Sequence, residues 1–264
     1  MESKKQFQEW IFWGILFLAK IIQNMSAPDN IKQEVRDKLR ELAEPELRSF
    51  NSALIPGCSN ILGVRRPHLR KLARRLLSQE WRRWLDDPDD EFHEETLLRA
   101  LLVANAPLEP EERLRYLRAL VEKLRNWADC DLACEELRKI VRSEPERFWD
   151  FTESYLEEQR EIPLRFGIVM LLTHFITEER IETVLERLDT IRHEGYYVKM
   201  ALAWALSVCF IKFPERTLRY LQNNRLDDET FNKALQKIIV SFRVDRKTKD
   251  VIRSLRRKAP PQKS

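Results

Sequence analysis

The chain has 264 residues, 43% hydrophobic and 34% charged, which excludes a disordered polypeptide and leaves room for one large domain or two small ones. Only five glycines are present, too few for the hairpin turns of a sheet-rich protein. With Leu, Arg, Glu, Lys and Ala abundant, the fold class expected is all-α. The formal net charge of +4 is modest, so its distribution matters more than its sum.

At the N-terminus, Trp10 to Ile22 is strongly apolar, yet Lys20 interrupts it and it falls short of the ~20 apolar residues of a membrane span. Lys4 and Lys5 supply the basic start of a signal peptide, but no small-x-small cleavage site follows. Three readings stay open: an extra helix docked on the domain, an interfacial anchor, or an extension upstream of a natural start at Met25. Membrane contact by residues 1–24 is the least expected of these. The expected organisation is that extension, one domain over residues 25–258, and a short tail over 259–264.

Pro28 to Leu47 reads as one helix, and Pro56, Gly57 and Gly63 place a connection between Asn51 and Gly63. Arg65 to Arg83 carries eight basic residues against Glu80 alone. The acidic run from Asp86 to Glu95 reads as a solvated turn leading into a helix N-terminus, where acids are favoured. Short helices punctuated by proline follow: Glu91 to Ala104, Pro110 to Arg125, and one from Trp127 or Asp129 to Val141. Further starts fall at Pro145, Pro163 and Pro214, and Asp227 to Phe242 and Lys247 to Arg257 close the chain. Leu164 to Ile176 and Val198 to Ile211 are apolar nearly all round, as helices buried among other helices are. Their alternation with amphipathic helices fits stacked pairs of the HEAT type. Such an α-solenoid presents a concave face lined by one helix from each pair.

Cys58, Cys130, Cys134 and Cys209 form no Cys-x-x-Cys pair, and no histidine stands at ligand spacing from them. A zinc site needs four ligands, which cannot be assembled here. Reduced, buried thiols in a cytoplasmic protein are expected, with no metal and no organic cofactor.

The stretch most suggestive of chemistry is Trp127-Ala128-Asp129-Cys130-Asp131. Trp127 and Asp131 are four residues apart and share one helix face, while Asp129, two residues from each, points off it. An indole π-face beside a carboxylate suits an electron-poor group. Arg165 opens the first buried helix, and Lys199 and Trp204 lie on the second. Taken singly, such a tryptophan reads as core and such an arginine as solvated surface.

Taken together, three segments resemble the DNA alkylation repair family of HEAT-like glycosylases. They are Trp127-x-x-x-Asp131, Leu164-Arg165-Phe166-Gly167-Ile168-Val169 and Ala201-Leu202-Ala203-Trp204-Ala205-Leu206, in that order and at matching spacing. The similarity runs from about Gln33 to Arg257 and includes Asn60-Ile61-Leu62-Gly63-Val64-Arg65 and the basic end near Ser241-Phe242-Arg243. The resemblance implies an all-helical enzyme that acts on positively charged N3- or N7-alkylated purines in double-stranded DNA. It implies Asp131 as the catalytic acid, Trp127 and Trp204 as aromatics flanking the deoxyribose of the lesion, and Arg165 as the arginine holding the backbone beside it. The chain departs from the family pattern at Ala128, where a second acid is frequent, and at Leu164, where paired arginines are frequent.

The chemistry suits those residue types. An alkylated purine is cationic and already a good leaving group, and a carboxylate stabilises the oxocarbenium-like sugar left behind. Phosphate contacts would carry the affinity. Arg243 to Lys258 holds eight cations against Asp245 and Asp250. Arg243, Arg246, Lys247 and Lys249, with Arg165 and Lys199, are the candidate DNA-binding residues. The function expected is a monofunctional alkylpurine DNA glycosylase acting as a monomer. The alternative is a catalytically silent HEAT-like scaffold that binds DNA or protein.

Overall fold

The computed structural model describes residues 31–79 and 81–257. All regular structure among them is helical; no strand occurs in this range. Helices α1 (31–41), α2 (Pro45–Leu54), α3 (Arg66–Leu77), α4 (Trp81–Asp86) and α5 (His93–Asn105) belong to a compact unit that ends at Ala106. A second unit begins at Pro107. It contains α6 (Pro110–Val121), α7 (Trp127–Glu136), α8 (Arg138–Ser143), α9 (Pro145–Leu156) and α10 (Glu161–Met170). A π-helical turn, Leu171–Phe175, continues α10, and α11 (Ile181–Thr190), α12 (Tyr196–Lys212), α13 (Pro214–Gln222), α14 (Asp228–Val240) and α15 (Arg246–Ser254) complete it.

In the first unit the helix expected over Pro28 to Leu47 is divided. It stops after residue 41, and Pro45, whose ring blocks continuation but suits a first turn, opens α2. The connection therefore begins only after Leu54. Gly63 holds φ at +84°, and a Cβ there would lie 2.5 Å from the Arg48 amide nitrogen, so only glycine fits.

The acidic run differs from the solvated turn expected of it. Glu94 and Glu95 are 1% and 0% exposed. Glu94 accepts from the amides of Leu62, Gly63 and Val64, the Gly63 bond being 2.8 Å. Glu95 accepts from the amides of Glu91 and Phe92 at the start of α5 and from the Arg36 guanidinium at 3.1 Å. Asp90 is gripped by Arg99 through two nitrogens at 2.6 and 3.0 Å. These acids are buried because arginines from elsewhere in the unit and free loop amides satisfy them, and a buried charge survives only when paired in that way.

The second unit is built around a row of neighbouring helices in which α7 packs on α10, α10 on α12, and α12 on α14. Helices α9, α11, α13 and α15 pack on members of that row. The two apolar helices sit in its middle: Phe166, Ile168, Met170, Val198, Ala201, Ala203 and Leu206 are all fully buried. A Cβ on Gly167 would lie 3.0–3.1 Å from Leu156 and Tyr155, so glycine lets α9 approach α10 closely. Arg138, Thr173, Lys212 and Arg243 stand at the C-terminal ends of the four inner helices and line one groove, so these helices run parallel. The arrangement is compatible with stacked HEAT-like pairs.

No helix among the described residues is long and apolar enough to cross a membrane. The Trp10 to Ile22 segment and the expected boundaries at 24/25 and 258/259 lie outside them.

Candidate active site

Asn126 sets the first turn of α7: its side-chain oxygen accepts from the amides of Ala128 and Asp129 at 2.9 and 3.0 Å. Asp129 answers by accepting from the Asn126 side-chain amide at 2.9 Å and from the Arg125 amide at 3.1 Å. Asp129 thus points off the Trp127–Asp131 face, as its spacing predicts, but it is 3% exposed and structural rather than solvated. This cap fixes where α7 begins, and so where Trp127 and Asp131 stand.

Asp131 meets Arg165 of α10 across the helix–helix contact. Nη2 of Arg165 lies 2.9 and 3.0 Å from the two carboxylate oxygens, and Nε lies 3.2 Å from Oδ1. The arginine side chain is 6% exposed and the aspartate side chain 19%. The remaining terminal nitrogen of Arg165 donates to the Tyr197 carbonyl at 2.8 Å. The chain at Tyr197 is itself anchored to α10, since the Tyr197 amide donates to Glu161 at 2.6 Å. The guanidinium is therefore locked by α12 and locks the carboxylate, a bidentate geometry that orients as well as attracts.

Trp204 lies seven residues beyond Tyr197 on α12, two turns along the same face, and both it and Trp127 are half-buried. Lys199 is engaged elsewhere, bonded to Glu194 at 2.8 Å and Glu229 at 3.1 Å, and these partners raise its ammonium pKa. Arg243, Arg246 and Lys247 are exposed and Lys249 is half-buried, and no carboxylate pairs with any of the four among the described residues.

The family model described as DNA alkylation repair enzyme matches residues 35–238. The chain belongs to the DNA alkylation repair enzyme family. No curated protein matches it closely enough for comparison. Trp127, Asp131, Arg165 and Trp204 all fall inside the family match, while Arg243, Arg246, Lys247 and Lys249 lie beyond it. Membership in a DNA repair family makes DNA the substrate.

Two groups beside the Asp131–Arg165 pair carry no motif in the sequence. Tyr197 acts through its backbone carbonyl, which any residue supplies. Lys237 of α14 lies near Arg165: burial first, then the charges of Arg165 and Lys233, push its ammonium pKa down. No carboxylate pairs with Lys233 or Lys237 among the described residues. The one mark of Lys237 is its place beside the apolar stripe of Ala234, Leu235 and Ile238.

Cys130, Cys134 and Cys209 are buried as expected, whereas Cys58 is only half-buried. Burial pushes Cys209 up to about 12 and holds Cys134 well above the ordinary thiol range. Among the described residues, no group of three or more His, Cys, Asp and Glu side chains is arranged to hold a metal.

Proposed function

We propose that the protein is a DNA glycosylase that hydrolyses the N-glycosidic bond of cationic N3- or N7-alkylated purines in duplex DNA. The observation that carries this reading is the Asp131–Arg165 pair, with the carboxylate oriented by two nitrogens yet still partly open to solvent. As the glycosidic bond breaks, the positive charge of the base moves onto the sugar. Asp131 stabilises that charge and orients the attacking water. The half-buried indoles of Trp127 and Trp204 flank the deoxyribose and add cation–π attraction of ~0.5–2 kcal/mol each. No step draws on a metal or an organic cofactor.

Arg165 spends its donors on Asp131 and Tyr197, so it acts as a positioning residue in this state. The phosphate beside the lesion falls instead to Lys237, a nearby cation with no carboxylate partner among the described residues. Arg243, Arg246, Lys247 and Lys249 supply sequence-independent backbone contacts. Lys199 reaches phosphate only by exchanging Glu194 and Glu229.

The deciding experiment is single-turnover release of 7-methylguanine from duplex DNA under excess protein. Release well above the spontaneous rate is expected. Release at the spontaneous rate, with DNA binding intact, would establish the catalytically silent DNA-binding reading. Ala128, Leu164 and the ion-paired state of Asp131 favour that alternative.

A further inference from the structure

The second unit carries a groove of about 1140 Å³ away from Asp131, at the C-terminal ends of the inner helices. Its cations are Arg138 and Arg142 of α8, Arg180, Lys212 at the end of α12, and Arg243 after α14, against two carboxylates, Glu146 and Glu179. Glu146 is taken by Arg180, whose guanidinium also lies 4.2 Å from the Trp149 ring. Arg138, Arg142 and Arg243 are exposed, and among the described residues none has a carboxylate partner. Arg138 and Arg142 stand four residues apart on α8 and both line the groove together with His174.

The position of the groove suggests its ligand. Arg138 is seven residues past Asp131, Thr173 eight past Arg165, and Lys212 eight past Trp204. Seven residues of helix advance about 10 Å. A nucleic acid strand advances about 3.4 Å per nucleotide, so roughly three nucleotides separate the two places. The wide π turn at Leu171–Phe175 rotates more slowly than an α-helix, which brings Thr173 and His174 round to the groove.

We propose that this groove binds backbone phosphates of the DNA strand about three nucleotides from the lesion, with Arg138 and Arg142 as the principal contacts. The proposal rests on the DNA-binding reading above and adds a site to it. A structural explanation competes with it: cations at helix C-termini also offset the negative end of the helix dipole.

The test uses the full chain and a duplex with one tetrahydrofuran abasic mimic, so binding is read without turnover. In Arg138→Ala/Arg142→Ala, the plot of log affinity against log salt should become shallower by about 2, and affinity at 0.15 M salt should drop about tenfold or more. The double Lys variant should restore the slope. A methylphosphonate three nucleotides from the mimic should weaken wild-type binding and add no loss in the double Ala variant. An unchanged slope in a folded double Ala variant overturns the proposal. So does a pattern in which both variants differ in thermal midpoint but share the wild-type slope, since the arginines would then serve only the helix ends. If the wild type fails to bind the duplex at any salt, the DNA-binding reading itself falls.

Discussion

Asp131 and Arg165 depend on one another, and each change at the pair has two effects to separate. Asp131→Asn removes the negative charge that the chemistry needs, and base release should fall by ~10²–10³. It also leaves a nearly buried guanidinium facing a neutral amide, so the variant should lose on the order of 2–3 kcal/mol of stability. Stability by urea titration and release under saturating protein separate the two, and equal release rates at full occupancy would remove Asp131 from the mechanism. Arg165→Lys should slow release less, because one ammonium supplies charge without the two-point grip. Trp127→Ala and Trp204→Ala should each slow release less than Asp131→Asn. The sequence made Asp131 and Arg165 visible because a family spacing joins them. It concealed the burial of Glu94 and Glu95, because their partners Arg36 and the Leu62–Val64 amides stand some thirty to sixty residues earlier. Pairing over such separations leaves no local pattern to read.

At the scale of elements, the π turn after α10 is the least ordinary feature. His174 within it is half-buried, and its Nε2–H donates to the Cys134 carbonyl at 2.8 Å. Burial first, then Arg138 and Arg142, push its pKa down from 6.5 to about 4, although the carbonyl bond opposes the shift. The unfolded chain takes up this proton as pH falls through 6.5, and the folded chain only near 4. Stability should therefore be complete above pH 6.5 and decline by on the order of 2–3 kcal/mol as pH falls to 4. Urea titrations at pH 7.5 and 4.5 measure the decline, and His174→Gln, which keeps a donor but does not titrate, should reduce the difference by that amount. Proline positions made most helix starts legible, including α6, α9 and α13. Pro45 does not stand out as a helix start because charged and leucine residues continue evenly across it, and the π turn has no compositional mark at all.

Across the whole molecule, the all-helical composition and the alternation of buried with amphipathic helices were legible from residue types alone. The division at Ala106 was not, since Pro107 and Pro110 mark it no differently from the prolines that separate helices within one unit. Charge reversal at Arg246 and Lys247, both exposed and without carboxylate partners among the described residues, should weaken DNA binding about equally for all sequences. The salt slope should fall by ~1 for each phosphate no longer neutralised, and an unchanged slope would reduce these residues to ordinary surface. The parallel run of α7, α10, α12 and α14 carries a consequence of its own. In an up-and-down bundle neighbouring peptide dipoles cancel, whereas here they add, so the inner layer is electrically polarised from one edge to the other. Each helix end contributes about half an elementary charge, which places roughly two negative charges at the edge where Arg138, Lys212 and Arg243 stand. Stripped of its arginines, that edge would not become indifferent to a polyanion; it would repel one.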